Sequence, residues 1–185
     1  MREPLWILQR RFIDRKLPLP IAKAYIYFLL AGLDYLHSYC KIVHTGEYFY
    51  LVPVLEYQDL TSLSDLKRGN ILMSFENENI LTSFIKRREP MRSKVDAQSG
   101  RTIYRCHNDF GALDGREIKN MVPKIADFGL ATRLDKPCTW DGMGGEQLGI
   151  YPIQPDYYRA PEVILGCGWG VKADIWNFGV LVRSQ

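Results

Sequence analysis

Four side chains in two short strings carry the chemistry this sequence offers. Asp65, Lys67 and Asn70 stand in Asp65-Leu66-Lys67-Arg68-Gly69-Asn70, and Asp127 opens Asp127-Phe128-Gly129. A carboxylate can accept or orient the proton of a hydroxyl. A lysine ammonium is a compact point charge suited to phosphate, and carboxylate and amide oxygens are the hard ligands that Mg²⁺ takes. A lone D-F-G is a weak signal. A second one, Asp109-Phe110-Gly111, follows Cys-His-Asn and no apolar run, and reads as a decoy.

The elements around these residues are legible from pattern. Asn70-Ile71-Leu72-Met73 and Lys124-Ile125-Ala126 read as short strands beside the two strings, and Lys41-Ile42-Val43-His44 as a third. Leu19-Pro20-Ile21 opens a long helix, with Pro20 tolerated in its first turn. Ile21, Tyr25, Phe28, Leu29, Leu33 and Leu36 recur at three- and four-residue steps and predict one buried face, with fraying near Ser38. Residues 76–122 are polar and read as a long insertion with a helical turn or two around Ile80 to Ile85. From Gly129 to Pro155 the composition predicts irregular surface loop. Ala160 to Leu165 and Lys172 to Val182 read as a short helix and the start of a buried one.

Composition sets broad bounds. A formal charge of +3 spread along 185 residues gives no reason to expect a nucleic-acid partner, and 46% hydrophobic content suits a packed core. The densest basic stretch, Lys86-Arg87-Arg88 with Arg92 and Lys94, reads as a solvated loop. Cysteines at 40, 106, 138 and 167 form no CxxC pair, which argues against a zinc or disulfide framework and for a reducing intracellular setting. No signal peptide is visible. The most apolar window, Ala24 to Leu33, is about half the roughly 20 residues of a membrane span, so no membrane is expected.

Order and spacing carry more than any single motif. The Asp65 string, Asp127-Phe128-Gly129, Ala160-Pro161-Glu162 33 residues after Asp127, and Asp174-Ile175-Trp176-Asn177-Phe178-Gly179 follow one another as the motifs of a eukaryotic-type protein kinase do. The chain resembles the carboxy-terminal lobe of that family, and more narrowly the fungal relatives of the SR-protein kinases. The narrower likeness rests on Arg2-Glu3-Pro4-Leu5-Trp6, Lys16-Leu17-Pro18-Leu19-Pro20, His44-Thr45, His107-Asn108-Asp109-Phe110-Gly111 within the insert, and Ile153-Gln154-Pro155-Asp156-Tyr157-Tyr158-Arg159 before Ala160. The resemblance implies an α+β, partial protein-kinase-like fold, mostly the helical C-lobe. It implies a Ser/Thr kinase using ATP and Mg²⁺ on a protein substrate, Ser/Arg-rich by family alone, in the cytoplasm or nucleus. Asp65 would serve as base, Lys67 would face the γ-phosphate, and Asn70 and Asp127 would hold the metal.

The sequence departs from the family in two places. The family has His-Thr-Asp-Leu-Lys unbroken, whereas the 19 residues Gly46 to Ser64 here separate Thr45 from Asp65. Thr45-Gly46-Glu47-Tyr48 can be encoded with a GTGAGT splice donor, Leu60-Thr61 with a branch sequence and Ser64-Asp65 with a terminal CAG. Removal would regenerate an Asp codon after Thr45, so 46–64 reads as a translated intron. The second departure is at the ends. No G-x-G-x-x-G loop or V-A-I-K lysine precedes Arg2, and the sequence stops within the helix begun at Asp174, leaving Glu162 without the Arg it pairs with in the family. The expectation is an incomplete kinase domain over 1–185, from the hinge-adjacent segment to the start of helix F, with family-type insert 76–122. Such a chain is expected to be inactive and poorly soluble alone. A non-catalytic pseudokinase or docking module is the alternative, and upstream codons for the missing Gly-rich loop would discriminate between them.

Overall fold

A computed structural model describes residues 1–44, 67–87, 91–105, 109–135, 148–154 and 156–183. Asp65, Thr45, Pro155, Cys106, His107, Asn108 and the segment 46–64 lie outside the described residues.

The mixed helix-and-strand architecture is organised around α2 (Leu19–Asp34), α5 (Lys172–Arg183) and a short ribbon of β2 (Ile71–Met73) with β5 (Pro123–Ile125). Pro20 sits in the first turn of α2, where a missing N–H costs nothing. The apolar stripe then places Tyr25, Leu29 and Leu33 in a core shared with Leu5 and Leu8 of α1 (Leu5–Gln9), Ile71 and Met73 of β2, and Phe178 and Leu181 of α5. Ile21 and Leu36 pack at its margin, but Phe28 is exposed, contrary to expectation. At 100° per residue Phe28 falls at the edge of the stripe beyond Ile21, about 100° round from Leu29 at its centre. The helix does not fray at Ser38. It passes into a π-helical turn, Tyr35–Cys40, closed by Lys41 in the left-handed region (φ 56°). With that turn the helix continues to Cys40, and the stretch Ile13–Cys40 is long and apolar enough by length and composition to cross a membrane, which the ten-residue window missed. Its Tyr25–Leu29–Leu33 face is nevertheless buried in protein.

Burial of Tyr25 has a measurable consequence. Its hydroxyl donates to the Ile118 carbonyl at 3.3 Å, and burial pushes its pKa up to about 12. The folded state keeps this proton while the unfolded chain loses it near pH 10, so the associated stability is present below pH 10 and is lost as pH rises toward 12. Urea melts between pH 9 and 12 should show this decline, and Tyr25→Phe should flatten it. An identical slope in the variant would refute the assignment.

All three expected short strands form, and two of them pair with each other. β2 and β5 are antiparallel, with Ile71 opposite Ile125 and Met73 opposite Pro123. The chain start adds to the other edge of β2, since Arg2 N–H donates to the Met73 carbonyl and Met73 N–H to the Glu3 carbonyl, both at 2.8 Å. Arg2 then reaches inward to Glu76 at 2.6 Å and to the Gly111 carbonyl at 2.6 Å. β1 (Ile42–Val43) pairs with β6 (Thr132–Arg133), an element that composition alone placed in loop.

The insert is more ordered than a loop. α3 (Asn79–Lys86) is the expected helical island, but β3 (Arg92–Val95) and β4 (Thr102–Arg105) form a hairpin that periodicity did not announce. All eight of its strand residues are exposed, so no alternation of apolar and polar residues was required. The Asp109-Phe110-Gly111 string fastens this insert to the body. Phe110 packs on Phe75 and Phe84 with ring centroids 4.9 Å apart, and Gly111, in the left-handed region, offers its carbonyl to Arg2.

The stretch before Pro155 is also not all surface. Ile153 and Gln154 are fully buried in a second core with Val43, Ala160, Val163, Trp169 and Ala173. Gly149 and Trp169 exchange backbone hydrogen bonds at 2.8 Å, and a Cβ on Gly149 would fall 2.1 Å from the indole ring, so only glycine fits there. α4 (Pro161–Leu165) and α5 flank an open groove of about 920 Å³ lined by Leu148, Ile175, Trp176 and Val180, with Glu162 and Arg183 at its rim. Glu162 forms no ion pair with a described residue.

Candidate active site

The β2–β5 register extends one step past the strands. Ala126 N–H donates to the Asn70 carbonyl at 2.8 Å, which sets Asn70 beside Ala126 and next to Asp127. Upstream, Asn70 N–H closes a turn onto the Lys67 carbonyl at 2.9 Å, and the Lys67 stem curls back over Gly69. Three of the four residues singled out from sequence, Lys67, Asn70 and Asp127, therefore gather at one end of a single ribbon. Asp65 lies outside the described residues. Asn70 is largely buried and Asp127 is exposed, its backbone in the left-handed region at φ 68°. A branchless carboxylate residue tolerates that region better than most, yet the conformation is strained by roughly 1–2 kcal/mol and is held by the pairing on its N-terminal side.

Behind this end sits a buried polar relay. His44, fully buried, bonds through Nε2 with the Ala126 carbonyl at 2.9 Å, and its ring meets Phe128 edge-on at 5.0 Å. The His44 N–H donates to Asp174 Oδ2 at 2.8 Å, and His37 Nε2 lies 2.8 Å from the same oxygen. Asp174 is itself fully buried in the first turn of α5. The π turn is what brings His37 to this carboxylate. His37 escaped sequence reasoning. The available signal was an Asp amid the apolar Ala173, Ile175 and Trp176, because a buried carboxylate demands a partner.

Gln154 was also missed as a working residue. Its side chain accepts from Ala160 N–H at 2.7 Å and donates to the Ala173 carbonyl at 2.8 Å, clamping Ala160-Pro161-Glu162 to α5. It adopts φ 66°, and its carbonyl accepts from Arg159 at 3.2 Å, while Arg159 also pairs with Asp156 at 2.9 Å. No pattern in the sequence marks Gln154 for this task.

The donor set suits a hard divalent cation. A carboxylate and an amide residue at neighbouring positions of a ribbon end offer the oxygen ligands that Mg²⁺ accepts.

Comparison with known proteins gives the class. A serine/threonine protein kinase of Aspergillus fumigatus is 33% identical over 168 residues, covering 91% of this chain and 31% of that protein. The serine/threonine-protein kinase SRPK of Physarum polycephalum is 28% identical over 174 residues, covering 90% of this chain and 35% of the relative. Protein kinase dsk1 of Schizosaccharomyces pombe is 27% identical over 246 aligned positions, covering 97% of this chain and 43% of the relative. No family model matches the chain. Over most of its length the chain is similar to serine/threonine protein kinases, and these relatives imply a protein-kinase-like fold. It spans about a third of the length of the first of the curated relatives it matches, 31%.

Proposed function

We propose that this chain is the C-lobe part of a Ser/Thr protein kinase that transfers the γ-phosphate of ATP to a protein hydroxyl. The observation that supports this most is the bond from Ala126 N–H to the Asn70 carbonyl, which sets Asn70 and Asp127 together one turn from Lys67. Asp65 accepts the hydroxyl proton as the substrate oxygen bonds to the γ-phosphorus and the bond from that phosphorus to the β–γ bridging oxygen breaks, releasing ADP, while Lys67 holds the oxygens of the moving phosphoryl group. Asn70 and Asp127 would hold Mg²⁺, which would neutralise the nucleotide's phosphate charge. The likeness to SR-protein kinases supports an intracellular setting and a Ser/Arg-rich protein substrate.

The same reading makes residues 46–64 a translated intron and 76–122 a family-type insert. With 46–64 in place the base is detached from His44-Thr45 and the chain is inactive. Sequencing across the junction in transcripts tests this, and transcripts that all retain these codons would sink it.

Calorimetric titration of the full chain with ATP tests the site. Binding should require Mg²⁺, vanish with EDTA and weaken at least tenfold in Asp127→Asn, roughly the 1.4 kcal/mol that one charged metal contact supplies at minimum. Binding indifferent to both metal and Asp127 would overturn the assignment.

A further inference from the structure

Beside the ribbon end lies a second concavity of different character. Arg10, Arg15, Lys67 and Arg68 line a pocket of about 310 Å³ with Trp6, Gln9, Gly69 and Tyr158. Among its described lining residues there are four cations and no carboxylate. Five other arginines are paired, Arg2 with Glu76, Arg11 with Glu3, Arg116 with Asp114, Arg133 with Asp135 and Arg159 with Asp156. None of the four pocket cations forms an ion pair with a described residue.

The chain supports this arrangement at a cost. Arg10 lies over the Trp6 ring at 4.7 Å, which fixes its direction. Asp14 and Arg15 adopt successive left-handed conformations, φ 54° and 56°, each strained by roughly 1–2 kcal/mol, in the turn that carries Arg15 to the pocket. Like charges gathered in a concavity focus a positive potential on whatever enters it.

We infer that this pocket receives an anionic side chain of the protein substrate, a carboxylate or a phosphoserine flanking the acceptor hydroxyl, and turns arginine away at that position. The inference rests on the kinase reading, through the placement of Lys67 at the transferred phosphate. The volume lies at the bottom of the range for small-molecule sites, room for one or two side chains and not for a nucleotide. Three of the lining residues, Trp6, Gln9 and Arg10, come from α1 and its end, and neither Asn70 nor Asp127 is among the lining residues. A Ser/Arg-rich substrate is compatible with such a pocket where a neighbouring serine is already phosphorylated.

Fluorescence anisotropy with three labelled peptides tests it, identical around one serine except for flanking Asp, phosphoserine or Arg. The full chain should bind the Asp or phosphoserine peptide, or both, at least tenfold more tightly than the Arg peptide, and the two anionic arms identify which anion is preferred. The preference should fall at least fivefold in Arg10→Glu/Arg15→Glu and persist in Arg92→Glu/Arg105→Glu, the same charge change on the exposed hairpin. If the double pocket variant loses the wild-type circular dichroism spectrum, Arg15→Gln answers instead, with an expected threefold drop. Equal or tighter binding of the Arg peptide, or a folded pocket variant that keeps the preference, overturns the inference. Mg²⁺-dependent ATP binding on the same samples separates the two readings: if it survives while the peptide preference fails, only the pocket assignment falls.

Discussion

Asp174→Ala is expected to lower the unfolding free energy by about 4 kcal/mol, a large share of the 5–15 kcal/mol that holds an ordinary domain together. The carboxylate is fully buried and one oxygen serves two partners, the His44 N–H and His37 Nε2, each at 2.8 Å. Deleting it leaves a buried N–H without an acceptor, about 1–3 kcal/mol by itself, and strips His37 of its contact as well. Asp174→Asn keeps the volume and one acceptor and should cost about half as much. The loss should extend to the site, because His44 also holds the Ala126 carbonyl and packs against Phe128. Urea unfolding followed by far-ultraviolet circular dichroism gives the answer, and an unchanged midpoint for Asp174→Ala would show that this relay is not structural.

Excision of Gly46 to Ser64 is expected to change stability little and function greatly. Loop-closure entropy grows by only about 0.6 kcal/mol per doubling of length, so removing 19 residues gains about 1 kcal/mol. Position matters far more to a catalytic base, since a misplacement of about 1 Å can cost a hundredfold in rate. The described ends already favour the shorter connection. His44 bonds the carbonyl of Ala126 and Asn70 bonds its N–H, so both ends of the interrupted segment meet one residue. Thr45, Asp65, Leu66, Lys67, Arg68 and Gly69 would join them after excision, a reach of roughly 20 Å when extended. In the locus-derived protein without residues 46–64, phosphate transfer to a protein substrate should exceed that of the interrupted form by about 10²–10⁴, the usual contribution of a positioned base. Equal rates in the two forms would refute the proposal that residues 46–64 disable transfer by displacing Asp65.

The sequence made the ribbon and its cargo readable for a physical reason. β2 and β5 are short apolar runs directly joined to residues whose chemistry is distinctive, so pattern and motif located Asn70 and Asp127 together. The helix stripe named Tyr25, Leu29 and Leu33 correctly because they lie at the stripe's centre, whereas Phe28 at its edge did not stay covered. Long-range polar contacts were the opaque part. His37 and Asp174 are 137 residues apart, and their meeting depends on a π turn that no residue pattern encodes. Gln154 lay in a stretch rich in Gly, Pro and Asp, where composition masks the few buried positions. The hairpin of β3 and β4 was invisible for the opposite reason, because strands exposed on both faces leave no hydrophobic signature.

Ala126 has a mechanical consequence for the strand it ends. Both polar groups of this residue are engaged, the N–H by Asn70 and the carbonyl by His44, so neither flanking peptide plane can swing without breaking a hydrogen bond. Any reorientation of Phe128 and Gly129 must therefore be taken up downstream of that anchor, at the torsions of Asp127. Asp127 is already poised in the left-handed basin, from which rotation to the ordinary basins releases strain. The segment thus behaves as a sprung hinge bolted on one side, and its resting angle is set by a histidine and an asparagine that never leave the frame.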